Sequence, residues 1–242
     1  MPIEHDNTKR RRPLRRFAAL FVLALLVLLG SALLRHPDTP LPPQWNVFEP
    51  LDVNAEITPI TQWKLDWASS DPALCLKVLG GAARMREKPF VETSQHCSIE
   101  SRVILSAVGR AVIEPIETSC ATALRLAMWE RHGLQSVARE MFGANVARIR
   151  QVGSYNCRRI AGTERWSTHA TADAIDVIGF DLTDGTRISL LRDWNEDDDK
   201  ARFLRRVRDS SCKWFGTTLG PDYNDAHADH FHLQNEGWGT CR

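Results

Sequence analysis

Residues 174–191, AIDVIGFDLTDGTRISLL, decide the fold. Apolar residues dominate both ends and Asp184-Gly185 sits between them, so the stretch predicts two antiparallel strands joined by a tight turn. Upstream, NVARIRQVGSYN (residues 145–156) alternates Val146, Arg148 and Arg150 with Ala147, Ile149 and Gln151, which is the period of a strand. Downstream, DHFHLQ (residues 229–234) fits a last strand. Ser119 can cap a helix over CATALRLAMWERH, where Leu124, Met128 and Trp129 share apolar helical spacing and Gly133 is the expected stop. A second helix, 134–142, would end at Gly143. In DKARFLRRVRDSSCKWFG (residues 199–216), Phe203, Leu204, Val207 and Ser211 fall on one helical face, with Gly216 as the expected end. Helices first and strands after them predict an α+β fold with a mainly antiparallel sheet and flanking helices.

Composition bounds the function. The chain has 242 residues, 43% apolar and 25% charged, which fits one globular domain once about 70 residues are set aside for appendages. Collagen-like, fully disordered and multi-domain readings are excluded as starting points. Residues 1–36 hold seven basic side chains and two acidic ones, so the remainder carries 31−7 = 24 basic and 30−2 = 28 acidic groups, about −4. An acidic body argues against nucleic acid as a partner, and Arg205, Arg206 and Arg208 read as a solvated helix face.

The positive charge is an address. Phe17–Leu34, FAALFVLALLVLLGSALL, is 18 residues without a charge, which as a helix spans roughly 27 Å. The preceding KRRRPLRR would keep residues 1–16 in the cytoplasm as a basic tail and send everything after Leu34 across the membrane. The apolar run exceeds a usual signal h-region of about 7–15 residues and no clear A-x-A site follows, so it reads as an uncleaved anchor, 17–34, rather than a cleaved signal peptide. Five prolines in residues 35–50 predict an extended spacer, within a linker and arm covering 35–72. The compact domain is expected over 73–242. Six cysteines (Cys75, Cys97, Cys120, Cys157, Cys212, Cys241) follow the span without a C-x-x-C pair. Export to an oxidising periplasm or extracytoplasmic space would pair them, in one of 15 ways.

Four of the eight histidines fall in two short segments, STHATADAID (residues 167–176) and HADHFH (residues 227–232). Imidazole with carboxylate suits Zn²⁺, and a catalytic zinc takes three protein ligands with one position open. On a strand His230 and His232 share a face, so one can bind metal while the other stands beside the water there. Asp229 has the opposite parity and would face away unless pairing begins after it.

The pattern S-x-H-x(6)-D at Ser167, His169 and Asp176, followed about fifty residues later by H-x-H, resembles the LAS group of zinc peptidases. That group includes D-Ala-D-Ala carboxypeptidases, penicillin-insensitive murein endopeptidases and the hedgehog signalling domain. More narrowly, GSYNCR, STHATADAIDVIGF, CKWF and GPDYNDAHADHFHL resemble the bacterial extensin-like C-terminal domain family, over roughly Ala73 to Arg242. The resemblance implies a LAS/hedgehog-like core in which His169, Asp176 and His232 hold zinc. It places His230 in the active site, His227 at a further active-site histidine of the murein endopeptidases, and Arg158 near substrate. Asp229 stands where carboxypeptidases use Glu as base and is one methylene shorter, which leaves the base open between His230 and Asp229.

Two neutral imidazoles and one carboxylate leave such a site at about +1, enough to lower the pKa of water from 15.7 toward about 7. The expectation is therefore a zinc-dependent hydrolase of peptide bonds in peptidoglycan cross-links, endopeptidase ahead of carboxypeptidase. The rival is a non-catalytic zinc-containing module that binds cell wall or a protein partner.

Overall fold

The computed structural model describes residues 8–242, with side chains from residue 16 onward; residues 1–7 of the expected basic tail lie outside the described residues. The chain divides into two compact units, residues 1–49 and Pro50–Arg242.

In the first unit, helix α1 (Thr8–Leu34) begins inside the basic tail and carries the apolar segment. Its Arg16–Leu34 portion has mean hydropathy 2.8 and is long and apolar enough to cross a membrane, a test that a signal sequence also passes. The proline-rich stretch after it is not the extended spacer expected. It folds into turns, with a short 3₁₀ helix at Pro43–Trp45. Asn46 Nδ2 donates to Leu34 O at 2.7 Å, and the Arg35 guanidinium lies 4.0 Å from the Phe48 ring centroid. A carbonyl left over at the helix end finds its donor in the loop, and that contact draws the chain back.

The second unit runs α2 (Thr61–Ser70), α3 (Pro72–Gly80), β1 (Ala83–Glu87), β2 (Val91–Ser94), β3 (Cys97–Ile99), β4 (Arg102–Val108), β5 (Ala111–Ser119) and α4 (Cys120–Trp129). It continues with α5 (Gln135–Phe142), β6 (Val146–Gly153), β7 (Ala174–Leu182), β8 (Arg187–Ser189), α6 (Leu190–Asp193), α7 (Asp199–Ser211), β9 (Thr217–Leu219), β10 (Phe231–Gln234) and β11 (Thr240–Cys241). Its main sheet has the order β1-β4-β5-β6-β7-β10-β9-β11, with β8 also on β7. Only the β5–β6 and β9–β11 pairs are parallel. The first of these follows from the α4–α5 crossover between them, since parallel neighbours need a long connection. The fold is thus α+β with a mostly antiparallel sheet, but the expected order is corrected: five strands precede α4. Residues 51–72, ambiguous in sequence, supply Leu51, Val53, Leu65 and Ala68 to the core.

The predicted hairpin forms as β7 and β8, with Gly185 at φ +90° and Thr186 N donating to Asp184 Oδ1. Ser119 caps α4 by accepting from Thr122 N, and Gly143 at φ +64° ends α5. Gly133 does not stop the first helix. The chain passes through a π-helical turn, Glu130–Leu134, into α5. A Cβ on Gly133 would lie 2.6 Å from Ser210 Oγ, so this glycine admits α7. Gly216 likewise lies beyond α7, which ends at Ser211; its missing Cβ lets the backbone of Asn235–Gly237 approach. In β6, register shifts bury Val146 with Ile149 and break the strict alternation expected.

Helices α3, α4, α5 and α7 cover one sheet face, where Trp129, Phe180, Phe203, Ile175, Val177, Phe231 and Leu233 are buried together. The cysteines pair as Cys75–Cys120, Cys97–Cys157 and Cys212–Cys241.

Candidate metal centre

The opposite sheet face carries the site. Pairing of β7 with β10 sets His232 directly across from Asp176, while the alternate residues Val177, Ile175, Phe231 and Leu233 enter the core. His169 arrives from a 3₁₀ turn, Thr168–Thr171, capped by Ser167, whose hydroxyl accepts from His169 N. That turn closes on Ala172, in the left-handed region at φ 55°, a conformation that costs a non-glycine residue and is held from outside. The hold is Thr122 Oγ1, which donates to Ala172 O at 2.7 Å.

The three side chains converge. His169 Nε2 lies 3.2 Å from His232 Nδ1 and 3.2 Å from Asp176 Oδ2, and His232 Nδ1 lies 3.0 Å from Asp176 Oδ1. Tetrahedral zinc with bonds of about 2.0–2.1 Å would set its donor atoms about 3.3 Å apart, so these spacings fit. The tautomers fit as well. His169 Nδ1 faces Ser154 O at 2.7 Å, an acceptor that requires the proton on Nδ1 and leaves a lone pair on Nε2. Gln234 Nε2 donates to Glu236 O at 2.8 Å, which turns Gln234 Oε1 toward His232 Nε2 at 3.4 Å and leaves the lone pair of Nδ1 facing inward. Two imidazole lone pairs and a carboxylate then face one another with no proton among them, an arrangement that calls for a cation. Without a cation, burial raises the Asp176 carboxyl's pKa, but the hydrogen bonds that protonated His169 and His232 would donate outweigh it and hold the group well below the usual carboxylate range, so Asp176 is a carboxylate with or without an ion.

His230 stands just before β10, with Nε2 3.6 Å from Asp176 Oδ1 and Nδ1 2.8 Å from Asp229 Oδ1. Pairing does begin after Asp229, whose exposed carboxylate turns to His230. His227, on a 3₁₀ turn at Asp225–His227, has its ring 5.2 Å from that of His230 and 5.8 Å from that of His232. Burial first, then the neighbouring His230 and His232, push its pKa down to about 4. Arg158 is the outlier among the predicted residues. It is exposed, and among the described residues its guanidinium has no hydrogen-bond or ion-pair partner; its backbone O accepts from Ser167 N at 3.1 Å, which ties the segment to the His169 turn without bringing the side chain to the histidines.

Ser154 and Gln234, which fix the tautomers, went unread as site residues in the sequence. Gln234 has the parity of His230 and His232 in HFHLQ, a usable signal; a backbone carbonyl such as that of Ser154 leaves none.

No curated protein and no solved structure matches the chain. The family profile described as "Extensin-like protein C-terminus" matches residues 73–242, the greater part of the chain and all of the site. The chain belongs to the extensin-like C-terminal family.

Proposed function

We propose that the protein is a zinc-dependent hydrolase of peptide bonds in peptidoglycan, related to the LAS peptidases and held at the inner (cytoplasmic) membrane by α1 with its second unit outside the cytoplasm. The observation that carries this reading is the convergence of three lone-pair donors at 3.0–3.2 Å with tautomers set by Ser154 and Gln234. Zinc held by His169, Asp176 and His232 supplies a Lewis acid that polarises a carbonyl and brings the pKa of water toward about 7.

The protein's own groups handle the protons. Asp229 holds the Nδ1 proton of His230, so His230 Nε2 is free to take a proton from water and return it to the leaving amine, worth about 10²–10⁴ in rate. His230 is the base in this reading and Asp229 its positioning residue. His227, neutral at pH 7, stands at the mouth of the site and favours endopeptidase over carboxypeptidase by the murein endopeptidase resemblance. Three disulfides support an extracytoplasmic domain.

The test is incubation of the oxidised, detergent-solubilised full chain with purified sacculi, with zinc and with EDTA, followed by chromatography of released muropeptides. New muropeptides only in the zinc sample support the proposal. Identical chromatograms overturn it and leave the zinc-containing binding module.

A further inference from the structure

A second concentration of charge lies at the other end of the strands. β6 ends at Gly153 beside Asp176, whereas the β4–β5 turn pairs next to the start of β6. Beneath that turn is a cavity of about 440 Å³ lined by Arg84, Arg110, Arg131 and Arg139 together with Glu130 and Gln135. These residues come from β1, the β4–β5 turn, the π-helical turn and α5, so four separate elements deliver one kind of charge to one hollow.

Several arginines elsewhere in this acidic body find carboxylates, as Arg125 does with Asp66, Arg148 and Arg150 with Asp181, Arg206 with Glu140 and Arg208 with Asp222, and the unpaired ones outside the cavity, such as Arg158, do not line this hollow. Around the cavity the arginines find none. Among the described residues the side chains of Arg84, Arg110 and Arg131 have no hydrogen-bond or ion-pair partner, and Arg139 has only Asn145 Oδ1 at 3.4 Å. The one carboxylate in the wall is already engaged. Glu130 is 1% exposed and its Oε1 accepts from Arg110 N at 2.9 Å and Gln135 Nε2 at 2.8 Å. Gly109, at φ +50°, lies so close that a Cβ there would stand 2.0 Å from Glu130 Oε2. Glu130 therefore fixes the turn and the floor, makes no ion pair with the arginines, and offsets one of their four charges. Four guanidinium groups against one carboxylate leave three positive charges around the hollow.

We propose that this cavity binds a phosphoryl-bearing anion. Guanidinium forks match phosphate oxygens in pairs, and a surplus of three charges in a concave site calls for a multiply charged ligand rather than a lone carboxylate. The π-helical turn, which places Glu130 and Arg131 at the wall, is a distortion that recurs at functional sites. The phosphoryl group comes from a lipid headgroup or from a soluble phosphate ester, and the cavity's chemistry is the same for both.

The test is isothermal titration of the full chain, disulfides intact, in neutral detergent with EDTA and low salt, using pyrophosphate as the probe. Saturable one-site binding is expected, weakened at least tenfold in Arg84→Gln/Arg131→Gln, two exposed positions where the amide removes the charge and keeps a polar side chain. A competition with dihexanoyl phosphatidic acid, whose phosphomonoester headgroup is multiply charged, names the source: displacement of pyrophosphate supports a headgroup site, and retention supports a soluble phosphate ester. Absence of saturable binding, or equal affinity in wild type and the double variant with matching circular dichroism, overturns the proposal.

Discussion

The metal corner at β7–β10 and the arginine cavity under the β4–β5 turn are opposites in hydrogen-bond bookkeeping. In the corner, acceptors converge without a donor: His169 Nε2, His232 Nδ1 and Asp176 lie within 3.2 Å of one another, and each imidazole is oriented by a partner behind it, Ser154 O for His169 and Gln234 Oε1 for His232. In the cavity, donors converge without a free acceptor, because the only carboxylate is taken by Arg110 N and Gln135. The sign of the missing ligand follows from which half of the hydrogen bond is absent. The two regions also differ in preparation. The corner is held by Ser154, Gln234, Ser167 and Thr122, whereas the arginines are exposed and held by little, so the corner should bind tightly and the cavity weakly.

The sharpest way to break the comparison is Asp176→Asn, which puts an amide donor against two lone pairs and removes the one negative charge among the three ligands. Zinc affinity is expected to fall by more than the about 10²-fold that loss of an outer partner costs, read by competition with a chelating dye, while pyrophosphate affinity stays unchanged. Next, His230→Ala is expected to retain zinc and to lower turnover on sacculi by about 10²–10⁴, since it removes the proton carrier and leaves the ligands. Third, Gln234→Leu frees the His232 tautomer and is expected to weaken zinc about 10–100-fold in the same dye assay.

The smallest effect lies beside the cavity, at His132 in the π-helical turn, where Nε2 lies 2.8 Å from Val53 O. Burial, the largest influence, lowers its pKa from 6.5, with the Val53 carbonyl opposing. The unfolded chain then binds more protons than the folded one between the lowered value and 6.5. Stability therefore rises with pH through that window, is lost as pH falls through it, and levels off below the folded value. Denaturant titrations of the metal-free chain at several pH values should show that slope, and His132→Gln should flatten it.

Much of this was legible in the sequence, and the reasons differ by region. The β7–β8 hairpin and the helical faces of α4 and α7 follow from turn chemistry and periodicity, which are local. The ligand residues were legible because His169, Asp176 and His232 are rare chemistry in fixed order, and the β7–β10 register then brings His232 opposite Asp176. Strands β1 and β2 were not legible, since ARMRE and VETS are short polar runs whose strand character comes from pairing partners and not from their own pattern, whereas β4 (RVILSAV) and β5 (AVIEPIETS) carry a usable apolar, β-branched signal around Gly109-Arg110. Gly133 and Gly216 misled for one reason. Each looks like a helix end but serves a close approach by a segment distant in sequence. The arginine cavity was invisible because its four arginines are spread over residues 84–139 and meet only through the fold.

Metal analysis of the oxidised full chain, purified without chelator, tests the central claim most directly. One zinc per chain is predicted for the wild type, and none for His169→Ala or His232→Ala variants that keep the wild-type circular dichroism spectrum. A metal-free wild-type chain that takes up no zinc on titration, or full occupancy in either variant, would contradict the convergence of the two imidazoles and Asp176 on one ion.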